Sequence, residues 1–359
     1  MMAFSWNRKY SYSPLIPIDE PKPRHPFEKF RGRPLARLLR IPVAFMLVLL
    51  IFLLFYFPRE VHPWLDTWGQ WRSPIHGVHP IPCHSHNDYL KSPPLYAALA
   101  TGCTSIEADI WLDDGELYVG HRKCEITSND TLSSMYIEPL KQILEAANFN
   151  GDTEGPHSGV FAAAPWQSLV LVIDFKTGGK KTLPHLEKAL EPLRQRGWLA
   201  HWNGIHRVPG PVTVVGSGSL PYYVVTANTT YRDVFLDAPL HALEHKSDVA
   251  KTSTFKYNPS NSHYASTKLS KGTGIKSLKN LKSDGLERMR SQIHEAKIRG
   301  LVPRYWGTPS SPRNLLQKFW SVLLQEGVGV VNVDDLLLIR RLRWKLQWKQ
   351  PAVNVQNRQ

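Results

Sequence analysis

From about residue 78 onward the chain alternates short apolar runs with longer segments whose apolar residues return every three or four positions. The first kind fits buried strands and the second fits amphipathic helices. The pattern predicts strands near 78–84, 104–112, 169–175, 212–216, 222–226, 233–237, 300–305 and 328–333. It predicts helices around 94–101, 132–148, 183–197, 284–299 and 311–326. Strands that alternate with helices argue for an α/β fold with parallel strands. Two stretches lack clear periodicity: 150–166, rich in Gly and Ala, and 245–283, rich in Ser, Lys, Thr and Asn. In a barrel both would be loops, the second long enough to serve as a lid.

One apolar run is of a different kind. Ile41 to Phe57 reads IPVAFMLVLLIFLLFYF, seventeen residues without a charge. As a helix it rises roughly 25 Å at about 1.5 Å per residue, near the lower limit for a bilayer span. Arg40 can snorkel on the near side, and Tyr56, Trp64, Trp68 and Trp71 can reach the far headgroups. A single transmembrane span is therefore expected over 41–57, ahead of a cleaved signal peptide or a buried core helix, because no small-x-small cleavage site follows.

Charge sharpens that reading. The 359 residues carry a formal +14. Residues 1–40 hold nine basic and three acidic side chains, and after Asp335 there are six basic side chains and no acid. The remaining body is left near +2, too little for a basic nucleic-acid-binding surface. Under the positive-inside rule the tail 1–40, also rich in proline, stays cytosolic and disordered, and everything after about residue 60 is lumenal or extracellular. The expected organisation is a tail 1–40, a signal anchor 41–57, a linker 58–77, a barrel-sized body 78–349 and a short tail 350–359. Two sequons, Asn129-Asp130-Thr131 and Asn228-Thr229-Thr230, agree with that topology. Cys83, Cys103 and Cys124 allow one disulfide and one thiol, with Cys83 read as a buried strand cysteine.

The candidate chemistry lies at strand ends, where a (β/α)8 barrel builds its active site. The first strand runs into Pro82-Cys83-His84-Ser85-His86-Asn87-Asp88-Tyr89, and the strand period of two places His84 and His86 on one face. In the second strand Ile106, Ala108 and Ile110 face one way and Glu107 and Asp109 the other. Two carboxylates aimed into one apolar space repel unless a cation joins them, and hard oxygen ligands suit Mg²⁺ or Ca²⁺. A turn at Asp113-Asp114-Gly115 leads back to His121, and the third strand ends with Asp174 and Lys176 on one face. Histidines to move protons, acids for a metal and a lysine for phosphoryl charge form an inventory for phosphodiester cleavage.

Together these segments resemble the phospholipase-C-like phosphodiesterases, which include glycerophosphodiester phosphodiesterases, sphingomyelinase D-type phospholipases and phosphoinositide-specific phospholipase C. Ser85-His86-Asn87-Asp88-Tyr89, Glu107-Ala108-Asp109 and Tyr118-Val119-Gly120-His121 look like the first histidine, the metal pair and the second histidine of that superfamily. Asp174-Phe175-Lys176-Thr177-Gly178 is similar to its sphingomyelinase D-type element. The His84-to-Tyr89 block, Tyr305-Trp306-Gly307-Thr308-Pro309 and Asn332-Val333-Asp334-Asp335-Leu336 resemble the fungal altered-inheritance-of-mitochondria protein six family. The His-Arg-Gly start of glycerophosphodiesterases is absent, so no subfamily substrate carries over.

The resemblance implies a TIM-type barrel in which His86 and His121 act as general acid and base, or one of them as nucleophile. Lys176 would contact the phosphate, and one divalent cation, Mg²⁺ ahead of Ca²⁺, would be held by Glu107, Asp109, Asp174 and Asn87. His84 is the alternative first histidine. Trp306 would floor the substrate pocket or pack in the core, and Asn332 and Asp334 would line the rim or cap the next helix. The amphipathic stretch 336–349 reads as a barrel-covering helix before a membrane-surface one. The expected function is a membrane-anchored, metal-dependent phosphoric diester hydrolase acting on a phospholipid, lysophospholipid or glycerophosphodiester headgroup, with a cyclic phosphate as one product route. The competing class is a catalytically silent barrel that binds lipid or a partner.

Overall fold

The computed structural model describes residues 75, 77–149, 156–243, 256–277, 283–309 and 311–342. The expected tail 1–40, the apolar run 41–57, most of the linker 58–77 and the chain from 343 onward lie outside the described residues. Among the described residues no helix is long and apolar enough to cross a membrane.

The described chain begins with β1 (Ile81–Ser85), α1 (Tyr96–Thr101), β2 (Cys103–Asp113), β3 (Glu116–Val119), α2 (Glu138–Ala147) and β4 (Leu169–Phe175). It continues through α3 (Gly179–Ala189), α4 (Glu191–Arg194), β5 (His201–Trp202), β6 (Arg207–Val208), β7 (Val212–Gly218) and α5 (Tyr222–Val225). The last third holds β8 (Val234–Pro239), β9 (Ser262–Lys268), α6 (Leu269–Thr273), α7 (Ser283–Ile298), β10 (Val302–Trp306), α8 (Arg313–Gln325), β11 (Val330–Val333) and α9 (Leu336–Leu342).

Strand β1 pairs in parallel with both β2 and β11, so the order β1-β11-β10-β9-β8-β7-β4-β2 closes on itself. Eight parallel strands make a TIM-type barrel, with no open edge among them. The outward residues Ile106, Ala108, Ile110, Leu171, Ile173 and Phe175 belong to the main core shared with the helices. A separate cluster of Val170, Val172, Val215, Tyr264 and Val330, with Val302 against it, fills the inside of the barrel. One strand step beyond these residues stand Asp174, Ser217, Ser266, Asn332 and Arg304, so the inner face turns polar towards the strand C-termini.

Seven of the expected strands are present, and one is misplaced. Residues 222–226 form the single turn α5, not a strand, although their β-branched and aromatic run reads as one. Pro221 caps that turn, and its carbonyl accepts the amides of Val224 and Val225. The true strand is β9, inside the segment 245–283 that reads as a loop. Its residues Ser262-His263-Tyr264-Ala265-Ser266-Thr267-Lys268 are mostly polar because their inner face meets the polar upper layer. Helix α9 carries the buried Leu338 and Ile339, as a barrel-covering helix does.

Cys83 on β1 and Cys103 at the start of β2 form a disulfide, and Cys124 is an exposed thiol. The bond ties two neighbouring strands, both of which carry candidate site residues. For a closed segment of this size, with a sequence separation of 20, the chain-entropy gain is about 3 kcal/mol. We expect Cys83→Ala/Cys103→Ala to lose about that much in urea unfolding, relative to the oxidised parent; an unchanged midpoint would rule out a stabilising role.

Candidate active site

The loop after β1 is set by a buried carboxylate. Asp88 accepts Ser85 Oγ at 2.6 Å, the Leu95 amide at 2.6 Å and Tyr136 Oη at 3.2 Å. This clamps residues 85–95 at both ends, and Asn87 between them takes the left-handed conformation, φ 47°. His86 and Asn87 are thus presented on a fixed turn, and Tyr89 donates to Asn87 Oδ1 at 3.0 Å and to Asp109 Oδ2 at 2.8 Å.

The two candidate first histidines have different surroundings. His84 is fully buried, with Nδ1 2.7 Å from Ser105 Oγ and Nε2 3.0 Å from Glu107 Oε2. Burial, with the nearby Arg304 charge, lowers its pKa to about 3, so it is neutral and donates from Nε2 to the Glu107 carboxylate. His86 is part-exposed. Its Nδ1 lies 2.6 Å from Asp334 Oδ1, and its Nε2 faces Glu107 at 3.9 Å without a hydrogen bond. Burial opposes the charged form of His86, but the bond to Asp334 and the Glu107 charge prevail and raise its pKa above the ordinary value. Lys91 Nζ fixes the Asp334 backbone carbonyl at 2.7 Å.

Across the mouth, β2 and β3 form the expected return. Asp114 and Gly115 are both left-handed, as a tight hairpin requires, and the Gly120 amide reaches the Asp109 carbonyl at 3.1 Å. His121 is thereby delivered with Nδ1 3.3 Å from both Asp109 Oδ2 and Tyr89 Oη. Lys176 Nζ lies 2.9 Å from Asp109 Oδ2 and also binds Asp174, whose other oxygen accepts Ser217 Oγ at 2.8 Å. A groove of about 630 Å³ opens beside His121 and Tyr89.

Sequence reasoning missed the layer beneath. Arg304 is 4% exposed and donates to Ser266 Oγ at 3.1 Å and Asn332 Oδ1 at 3.2 Å. Its guanidinium lies 4.0 Å from Glu107 and 3.8 Å from Asp237. Burial would raise the Glu107 pKa, yet the His84 bond and the charge of Arg304 hold it below the usual carboxylate range. Asp237 is pushed up by burial to about 6, against the pull of Arg304 and Ser266. The only signal for Arg304 was its phase, two residues before Trp306. Trp306 itself stands on the rim, 38% exposed, with Lys268 Nζ 5.8 Å from its ring.

Among the described residues no three His, Cys, Asp or Glu side chains already stand as a metal shell. The donors nevertheless suit a hard divalent ion: Asp109 Oδ1 is buried without a partner, and Lys176 brings Asp109 and Asp174 together. Glu107 Oε2 accepts from His84 and Asn87 Oδ1 from Tyr89, so both of these oxygens already have a protein partner.

Residues 73–237 match the family described as "AIM6-like phosphodiesterase domain". The altered inheritance of mitochondria protein 6 homolog of Arthroderma benhamiae is 41% identical over 290 residues, 74% of this chain and 87% of that protein. The chain belongs to the altered inheritance of mitochondria protein 6 family. The family protein of Lachancea thermotolerans is 33% identical over 70% of this chain and 63% of its own, and that of Saccharomyces cerevisiae is 30% identical over 74% and 71%. A solved glycerophosphoryl diester phosphodiesterase from Parabacteroides distasonis overlays with 11% identity and a TM-score of 0.40, covering 77% of this chain and 91% of that one. The barrel rests on its own strand pairing, not on that overlay.

Two outcomes test the buried layer. Arg304→Met leaves Glu107 and Asp237 without their shared cation and should cost about 3–5 kcal/mol in denaturant unfolding. Asp237 binds its proton more tightly folded than unfolded, so its contribution to stability falls as pH rises from about 4 to about 6. Asp237→Asn removes that fall, and its stability relative to the parent should rise between pH 4 and pH 7; a gap independent of pH contradicts the assignment.

Proposed function

We propose that this chain is a phosphoric diester hydrolase whose proton transfers are carried by His86 and His121. The observation that carries the reading is the pair of imidazole–carboxylate contacts, His86 with Asp334 and His121 with Asp109, with Lys176 beside the second pair. A histidine that gives its Nδ1 proton to a carboxylate presents the Nε2 lone pair to the mouth. His86 is the first histidine in this reading and His84 supports Glu107. A substrate phosphate lies against Lys176, which offsets its charge. One histidine takes the proton of the attacking oxygen and the other protonates the departing one.

When bound, a divalent cation supplies further charge neutralisation at the phosphoryl oxygens; Glu107, Asp109, Asp174 and Asn87 would hold it, with Mg²⁺ as the first choice. The substrate class proposed is a phospholipid, lysophospholipid or glycerophosphodiester headgroup, and a neighbouring substrate hydroxyl in place of water gives a cyclic phosphate. The barrel is proposed to be tethered by 41–57 on the lumenal or extracellular side, a topology supported by the end charges and by the Cys83–Cys103 bond.

The test is ³¹P NMR of the full chain in detergent with choline, ethanolamine, inositol and glycerol phosphodiesters, with Mg²⁺, with Ca²⁺ and with chelator. We expect turnover with metal that falls about 10²–10⁴-fold in His86→Ala and in His121→Ala. His86 must be neutral to act as base, so kcat/KM should rise with pH through a pKa above 6.5, and Asp334→Asn should move that limb down. Turnover untouched by both histidine variants would sink this mechanism, and no turnover with any metal would sink the activity.

A further inference from the structure

The catalytic reading leaves Asn129-Asp130-Thr131 and Asn228-Thr229-Thr230 unused. A third look-alike, Asn258-Pro259-Ser260, carries proline at its centre and is no acceptor. Both remaining asparagines are exposed and outside helices and strands.

Their local geometry goes beyond the motif. Asn228 Oδ1 accepts the Thr230 amide, Thr230 Oγ1 and the Tyr231 amide, each at 3.0 Å. The carboxamide is thus gripped by its oxygen through the motif's own threonine. Its Nδ2 has no hydrogen-bond partner among the described residues. Around Asn129 the backbone is pinned instead: Ser134 Oγ donates to the Asn129 carbonyl at 2.6 Å and the Val119 amide to the Asp130 carbonyl at 2.7 Å. The Asn129 side chain makes no hydrogen bond among the described residues.

A third, independent observation concerns compartment. The Cys83–Cys103 bond is buried in the barrel wall, and such bonds persist where the milieu is oxidising. The chain's surface and its interior therefore point to the same side of a membrane.

We propose that Asn129 and Asn228 are both N-glycosylated. In the covalent step Nδ2 forms a bond to the anomeric carbon of an oligosaccharide carried on a lipid diphosphate. The carbon–oxygen bond to the diphosphate breaks, the diphosphate lipid leaves, and Nδ2 loses one proton. The Asn129 glycan stands at the border of the groove beside His121. The Asn228 glycan stands near Trp202, whose Nε1 donates to the Thr229 carbonyl at 3.3 Å, in the connection that leads into β8 and away from the strand C-termini.

The experiment is expression of the full chain in a fungal host, followed by gel mobility with and without peptide N-glycosidase. We expect the enzyme to shift the parent by two steps, Asn129→Gln and Asn228→Gln by one step each, and the double variant not at all. Thr131→Ala and Thr230→Ala keep the asparagines and should reproduce the single losses even where a Gln variant folds poorly. A parent insensitive to the glycosidase overturns the proposal, and a Gln variant that shifts as far as the parent overturns it at that site. Phosphodiester turnover measured on the same sample keeps the two readings apart, because a glycosylated but inert chain removes only the catalytic one.

Discussion

An ionised carboxylate inside a barrel is the constraint around which the upper half of this molecule is organised. Glu107 sits 7% exposed on the inner face of β2, where low polarisability opposes its charge. Three neighbours answer that cost: neutral His84 donates to it, Arg304 faces it at 4.0 Å and His86 at 3.9 Å. Each neighbour is held in turn by a further residue, His84 by Ser105, Arg304 by Ser266 and Asn332, His86 by Asp334 just past β11. The polar contacts around Glu107 therefore link β1, β2, β9, β10 and the end of β11. In the proposed reading, fixed partners of this kind would supply the preorganisation that electrostatic catalysis requires.

The parts legible in the sequence are those that depend on one strand. A period of two put Glu107 and Asp109 on the inner face of β2 and Ile106, Ala108 and Ile110 on the outer one, where the main core contains them. The same arithmetic returned His121 through the Asp114-Gly115 turn. What was not legible depends on pairing between distant strands. Strand β9 reads as a loop because its Ser, Thr and Lys residues serve the polar interior, so the rule that buried strands are apolar fails where the barrel lines its own mouth. Arg304 and Asp237 escaped notice for the same reason: each is one polar residue in an otherwise apolar run, and only closure brings them to Glu107.

The run His84-Ser85-His86-Asn87-Asp88-Tyr89 divides its labour in a way spacing alone does not reveal. His84 and Asp88 face inward and are fully buried, one supporting Glu107 and the other clamping the loop through Ser85, Leu95 and Tyr136. His86 alone of the two histidines keeps a nitrogen towards the mouth. The choice between His84 and His86 thus turns on burial. A fully buried imidazole whose two nitrogens are both engaged cannot exchange a proton with a substrate without giving up Glu107, whereas His86 Nε2 is unbonded.

The same division explains why the formal +14 says little about the site. The excess charge lies in the end segments, while two cations of the barrel's polar layer are each countered: Lys176 by Asp109 and Asp174, Arg304 by Glu107 and Asp237. A mouth in which cations and carboxylates nearly balance attracts anionic substrates weakly at long range. In the proposed reading selectivity then arises at contact, where a phosphate would compete with Asp109 and Asp174 for Lys176. A phosphodiester carries a single negative charge, so in that reading such competition favours one accompanied by a metal ion over a lone monoanion. The same reading would account for the orphaned Asp109 Oδ1, since a carboxylate that yields its lysine to a phosphate needs another positive partner in the same space.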